Sequence, residues 1–218
     1  SIVIRTESGN LTLTEGGATD DLSAAAVVAH GAGNILLAAE GAETDVLAEA
    51  NADITSTSGH ITVTAAQTID FGANVDVTTG SAGTIDLLAS TGDIVMDATA
   101  TLNTVDGDIR LAGGDDILEQ IVIGDIFATN ADVSIEASGS VLDTADADNE
   151  VEALSLRIVA GKGVGLLAGN SLDSVVNSLE TAVDTLSVSV LGSDGVNVLE
   201  DDALTIGNTA AVTVETVG

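Results

Sequence analysis

Short segments in which apolar and polar residues alternate recur along the whole chain. In residues 59–65 (Gly-His-Ile-Thr-Val-Thr-Ala), a glycine and a polar residue precede apolar side chains at alternate positions. Alternation with a period of two places Ile61 and Val63 on one face of a β-strand and Thr62 and Thr64 on the other. The pattern therefore predicts short strands with one buried face.

The same signature returns at a nearly constant interval. It begins at Gly9, Gly33, Gly59, Gly83 and Gly107, so the steps are 24, 26, 24 and 24 residues. A fixed period of this length is typical of a solenoid, in which each repeat contacts only its neighbours. With the later signatures, the predicted coils begin near residues 9, 33, 59, 83, 107, 139, 163 and 195.

The coil from 59 to 82 is regular enough to predict its cross-section. It contains three strand-like segments, at 61–65, 68–71 and 74–78, each separated from the next by two residues. Three short strands per coil of about 24 residues define a parallel β-helix. We therefore predict an all-β fold in which residues 1–218 form a single β-solenoid segment. Asn51 and Asn130 precede third strands, where they either form turns or stack as a hydrogen-bonded ladder.

One segment breaks the alternation. Between residues 170 and 186 the apolar residues are three or four positions apart, and Asn170 or Ser171 precedes them as an N-cap residue. This spacing predicts one short helical decoration near residues 171–185. The apolar residues concerned are Leu172, Val175, Val176, Leu179, Val183 and Leu186.

Charge restricts the partners of the chain. Thirty-five acidic residues face four basic ones, which gives a formal net charge of −31. Nucleic-acid binding requires a basic stripe, which four basic residues cannot form. In addition, no apolar run in the sequence is long enough to span a bilayer. We therefore expect no nucleic-acid partner and no membrane insertion, whereas divalent cations, cationic partners or a saline medium suit this charge.

The sequence contains no recognisable catalytic constellation. Cysteine is absent, the aromatic residues are Phe71 and Phe127, and His30 and His60 have no triad or metal-site spacing around them. The alternative class is a carbohydrate-active β-helix enzyme, but such an enzyme needs more aromatic and basic residues in its groove. Paired carboxylates carry little weight in so acidic a chain. We predict no enzymatic activity, no catalytic or cofactor-binding residues and no required cofactor.

Calcium is the ligand for which the sequence offers candidate residues. Residues 143–150 place four carboxylates in eight positions, and oxygen ligands in flexible loops suit this ion. The alternative is a solvated acidic loop, because the pattern matches neither an EF-hand nor a repeated Gly-Gly-x-Gly-x-Asp array. The candidate ligands are Asp143, Asp146, Asp148 and Glu150, with Asp115 and Asp116 as a weaker cluster.

The glycine-led strands resemble the repeats of filamentous-haemagglutinin-like proteins, which are very large bacterial surface and secreted adhesins. Residues 154–165 and 179–186 are also similar to a segment that recurs in giant repetitive exoproteins. The resemblance implies a right-handed β-helix, located outside the cell or at the bacterial surface. It also implies a structural or adhesive role, with surface glycans or other cells as partners. A calcium-dependent matrix-binding module is a related alternative.

The two ends of the sequence fit together. Placing Gly218 before Ser1 regenerates the opening signature, and Gly9 then follows as Gly92 follows Gly83. The alternative is chance agreement in a chain with 24 glycines. We expect self-association end to end, or neighbouring repeats of the same chain in a longer array.

Overall fold

The chain folds as a stack of short parallel strands. The structure, a computed structural model, describes residues 1–15, 25–144, 149–165 and 178–217. Within these ranges it is an all-β solenoid of about seven turns, spaced about 24 residues apart, with no helix. The predicted fold class is therefore confirmed, while the right-handed coil stays a prediction.

Each turn contributes strands at three positions, which we call first, second and third. First and third strands belong to one 14-stranded sheet, and second strands form a separate 8-stranded sheet. The first strands are β1 (Ile2–Thr6), β4 (Ile35–Ala39), β7 (Ile61–Ala65), β10 (Ile85–Ala89) and β13 (Ile109–Gly113). The second strands are β2 (Leu11–Leu13), β5 (Val46–Ala48), β8 (Ile69–Phe71), β11 (Ile94–Met96), β14 (Ile121–Ile123), β16 (Val141–Asp143), β18 (Gly163–Val164) and β20 (Gly195–Val196).

The third strands merge with the first strands in the later turns. Separate third strands are β3 (Val27–Ala29), β6 (Ile54–Ser56), β9 (Asp76–Thr79), β12 (Thr101–Thr104) and β21 (Val198–Glu200). Three longer strands span both positions: β15 (Asp125–Ala137), β17 (Val151–Ala160) and β19 (Leu179–Val190). The last strand, β22 (Thr205–Ile206), pairs with the first-position part of β19.

The core consists of columns of like side chains that run along the axis of the rod. Ile61 pairs with Ile35 on one side and with Ile85 on the other, and all three are fully buried. In the second sheet Phe71, the largest fully buried side chain, pairs with Met96. Burying one such side chain contributes about 1.5–3 kcal/mol, so stability comes from the stacking of successive turns.

The glycine of the repeated signature lies where two turns touch. A Cβ atom on Gly59 would lie 2.5 Å from the carbonyl carbon of Gly33 and 2.9 Å from the amide nitrogen of Asn34. Both are backbone atoms, which cannot rotate away as a side chain would. The corner therefore requires glycine because of close approach between turns.

The glycine signature leads strands of both sheets, which corrects the predicted coil boundaries. Strands that follow Gly33, Gly59, Gly83 and Gly107 are first strands, whereas those near residues 9, 139, 163 and 195 are second strands. The first strand of the opening turn is β1, because Ile2 pairs with Ile35 while Leu11 pairs with Val46. The signature is ambiguous because both sheets need a tight corner followed by an inward-facing apolar residue.

The predicted helix is wrong for its described part. Residues 166–177 lie outside the described residues, but Leu179–Val190 is strand β19, which pairs with β17 between Thr181 and Val190. In β19 the chain turns the corner between the third and first positions, so the buried residues Val183 and Leu186 are three positions apart. This step of three interrupts the period of two and resembles helical spacing.

The polar residues at the corners confirm both interpretations of Asn51. Asn51 and Asn74 have positive φ angles of 62° and 55°, which are typical of asparagine in turns. The Nδ2 atom of Asn74 also donates to Oδ1 of Asn51 at 3.1 Å, so the two side chains stack. Asn130 donates through Nδ2 to Oδ1 of Asp106 at 3.0 Å, but at another corner. Val133 pairs with Ile109, so Asn130 precedes the first-position part of β15 and not a third strand as predicted.

After β22 the chain leaves the stack as an extended segment, residues 207–217, which we call the C-terminal strap. The strap returns along the outer face of the first strands: the Val217 N–H donates to Oγ1 of Thr62 at 2.9 Å, and Thr216 Oγ1 donates to Oδ2 of Asp86 at 2.9 Å. Glu215 Oε2 lies 3.3 Å from Nε2 of His60, which is half-buried beneath the strap. The strap therefore brings Val217 against a turn in the middle of the rod. The expected continuation from one copy into the next stays a prediction.

Candidate functional site

Polar residues at several corners cap the backbone of the next turn. The residue immediately before a strand uses its side-chain oxygen to accept the N–H of the equivalent residue one turn further. Asn34 Oδ1 accepts from the His60 N–H at 3.0 Å, and Asp45 Oδ1 accepts from the Thr68 N–H at 3.1 Å. Many acids of this chain therefore satisfy backbone groups that would otherwise be buried without a partner.

One of these polar columns precedes the third strands and contains only acidic residues from Asp125 to Glu180. Asp53 Oδ1 accepts the Asp76 N–H at 2.8 Å, and Glu150 Oε2 accepts the Glu180 N–H at 2.7 Å. The register places Asp125, Glu150 and Glu180 on consecutive turns of this column. The carboxylates are thus stacked one above another along the axis of the rod.

Two of the four predicted calcium ligands can be placed, and they lie at the same corner. Glu150 directly precedes β17, and Asp143 ends β16, from where its charge acts on Glu150. Asp146 and Asp148 lie outside the described residues. In the parts of the chain that the structure describes, no group of three or more His, Cys, Asp or Glu residues could hold a metal ion. The calcium site stays a prediction.

Glu150 and Glu180 form the most unusual feature of this corner, because both carboxyl groups are buried. Their residues are 1% and 4% exposed, and Ser178 Oγ donates to Glu180 Oε1 at 2.6 Å. The atoms Glu150 Oε1 and Glu180 Oε2 accept no hydrogen bond from an N–H or hydroxyl group of the described chain. Burial is the main cause that raises the pKa of Glu150 to about 9, and the backbone N–H of Glu180 opposes this shift. The charges of Asp143 and Glu180, and a side-chain hydrogen bond between the Glu150 and Glu180 carboxyl groups, raise the pKa further.

Sequence reasoning missed Glu180. It lies 30 residues after Glu150, across the expanded turn that contains residues 166–177. The pattern that identifies this position is an acid directly before an inward-facing residue: Val151 follows Glu150, and Thr181 follows Glu180. Interpreting residues 171–185 as a helix prevented this pattern from being recognised at Glu180. Aligning these two positions would have brought the carboxylates together.

The weaker calcium candidates, Asp115 and Asp116, lie in the connection between β13 and β14. Asp116 Oδ1 accepts the Leu118 N–H at 3.2 Å, and the Asp116 N–H donates to Glu119 Oε2 at 2.6 Å. These bonds are those of a local turn. Asp115 and Asp116 also line a groove of about 640 Å³ together with apolar residues such as Leu88.

The two ends of the rod expose side chains that belong to core columns. At the N-terminal end Ile4, which pairs with the fully buried Leu37, is 36% exposed. At the C-terminal end Ile206, which pairs with the buried Leu186, is 73% exposed. A further turn stacked on either end would complete these columns and pair the open strand edges.

The fold and the geometry of the site carry the functional argument. No family model matches the chain, and neither does any curated protein or solved structure. No helix in the described ranges is long and apolar enough to cross a membrane.

Proposed function

We propose that this chain is a non-enzymatic structural and adhesive β-solenoid of the bacterial surface or extracellular space. It acts as a segment of a giant surface protein or as a filament subunit that mediates attachment or matrix formation. The observation that supports the proposal most directly is the pair of open ends, where Ile4 and Ile206 leave core columns incomplete. The resemblance of the repeats to filamentous-haemagglutinin-like proteins supports the extracellular location.

Stacking the N-terminal end of one copy on the C-terminal end of another continues both parallel sheets. Such an interface is head-to-tail, because two different surfaces meet, and a head-to-tail contact that does not close into a ring produces a filament. Both ends contribute apolar core positions and unpaired strand edges, which are the features that normally drive such association.

Lysine at either end is expected to block this association. A charged side chain at Ile4 or Ile206 would have to be buried without a partner when a second copy stacks, and edge lysines are a common natural protection of open strands. The I4K and I206K variants should therefore sediment as monomers at concentrations at which the wild type forms larger species. Sedimentation velocity and electron microscopy provide the measurement.

Three further samples make this experiment specific. An equimolar mixture of I4K and I206K should form dimers and nothing larger, because each variant retains one competent end. The matched controls are L88K and L118K, because Leu88 and Leu118 lie along the rod and not at its ends. Leu88 is 36% exposed, like Ile4, and Leu118 is 74% exposed, close to the 73% of Ile206. Equal association of the end variants and the wild type would contradict the proposal, as would loss of association in the controls.

The enzymatic alternative is tested separately. Incubation with a panel of acidic and neutral polysaccharides is expected to release no new reducing ends and no unsaturated products. Appearance of either product, and its loss when the carboxylates at one groove are changed to amides, would establish a carbohydrate-active β-helix enzyme instead. A heat-inactivated sample of the same protein provides the control for chemical degradation.

A further inference from the structure

The corner formed by Glu150 and Glu180 contains two buried carboxyl groups. Glu150 accepts the Glu180 N–H through Oε2, and Glu180 accepts the Ser178 hydroxyl through Oε1. The second oxygen of each carboxyl group, Glu150 Oε1 and Glu180 Oε2, is buried and accepts no hydrogen bond from an N–H or hydroxyl group of the described chain. A buried carboxylate is costly unless a proton, a cation or a hydrogen bond compensates its charge.

The chain cannot supply this compensation from its own basic side chains, because each of them is already paired. The sequence contains four Lys and Arg residues. Their ion-pair partners lie elsewhere on the rod: Arg5 with Glu40, Arg110 with Asp86, Arg157 with Glu136 and Lys162 with Asp194. The compensating charge for Glu150 and Glu180, whether a proton or a metal cation, must therefore come from solution.

We propose that Glu150 and Glu180 form a binding site for a hard divalent cation, Ca²⁺ or Mg²⁺. The second oxygens of the two carboxyl groups supply protein ligands from adjacent turns, and Asp143 adds negative charge at the same corner. Sites with two carboxylates that complete their coordination with water are typical of Mg²⁺, while Ca²⁺ accepts more protein oxygens. The cation would link the turn that contains Glu150 to the next turn, which contains Glu180.

This site goes beyond the proposed structural function and does not depend on association of the ends. It requires only that the turns containing Glu150 and Glu180 stack as they do in the isolated chain. A failure of cation binding would leave the end-to-end proposal untouched, and monomeric behaviour of the chain would leave the cation site untouched.

The test is a titration of the metal-free full-length chain with Ca²⁺ and, separately, with Mg²⁺. Isothermal calorimetry is expected to show one class of site, and the melting temperature should rise because a cation that binds only the folded state stabilises it. The E150Q and E180Q variants should each bind roughly tenfold or more weakly. Both replacements preserve the shape of the side chain, so these variants are expected to fold.

The control variant E43Q/E49Q makes the same chemical change at two exposed acids in another part of the rod and should bind like the wild type. The proposal is overturned if neither cation produces heat or a rise in melting temperature. It is also overturned if E150Q and E180Q bind as tightly as the wild type, or if the control loses binding equally. In those cases protons alone neutralise the buried pair.

Discussion

Replacing Gly107 by alanine is expected to destabilise the chain severely. A Cβ atom at this position would lie 2.5 Å from the carbonyl carbon of Gly83 and overlap its oxygen. These are backbone atoms of the preceding turn, so relief requires two turns to separate and to lose core contacts that depend on close packing. We expect a loss of about 3 kcal/mol or more in the free energy of unfolding, measured by urea denaturation followed by circular dichroism.

A matched variant distinguishes this clash from the general effect of adding a methyl group. Gly207 is exposed, and a Cβ atom there would meet only the Cγ2 atom of Thr185, at 3.2 Å. The G207A variant should therefore change the free energy of unfolding by no more than about 1 kcal/mol. The G59A variant should behave like G107A, because its Cβ atom would meet the Gly33 backbone in the same way. Similar midpoints for G107A and G207A would show that the turns are not closely packed at this corner.

The features that could be predicted from the sequence are those that adjacent residues determine. Alternation in residues 61–65 predicts strand β7 with its observed limits, because a period of two places Ile61 and Val63 towards the core. The signature glycines Gly59, Gly83 and Gly107 could likewise be identified, because each lies where two turns approach closely and they recur at a fixed period.

The features that could not be predicted depend on pairing between distant segments. Gly9 and Gly33 begin similar sequences, and only the pairing of Leu11 with Val46 places the first of them before a strand of the second sheet. The strap contacts Thr62 from more than 150 residues away, so its alternation of valines could not reveal that it lies outside the stack. Alternation reports which face of a segment is buried, but not what buries it.

The candidate site was predicted in part for the same reason. Asp143 and Glu150 are close in sequence, and an acidic run is visible without any fold. Glu180 joins them only through the pairing of β17 with β19 across the expanded turn. Burial, which makes the two carboxyl groups chemically distinct from the exposed acids, is a property of the stacked turns and has no local signal.

The E150Q variant is expected to become more stable than the wild type as the pH rises, in a buffer that contains a chelator. Burial is the main reason that the pKa of Glu150 in the folded chain is raised from 4.5 to about 9. The folded wild type therefore holds a proton that the unfolded chain releases between these two pH values. Its stability is complete below about pH 4.5 and falls until about pH 9, where the folded state also loses the proton.

Within that window the folded-to-unfolded ratio of the wild type should fall by up to about tenfold per pH unit because of this one group. Glutamine carries no proton to lose, and its amide oxygen can still accept the Glu180 N–H. The advantage of E150Q should therefore be smallest near pH 4.5 and grow towards pH 9. Urea midpoints measured across this range provide the comparison.

The control for this experiment is E152Q, which makes the same chemical change at an exposed position two residues further along β17. Its stability should follow that of the wild type at every pH, because an exposed carboxylate is solvated in both folded and unfolded chains. Parallel curves for E150Q and the wild type would mean that the Glu150 carboxyl group is ionised and compensated in the folded chain without any added cation. In that case a group of the protein would have to supply the counter-charge of the buried pair. This is the least expected outcome, because all four basic side chains form ion pairs elsewhere on the rod.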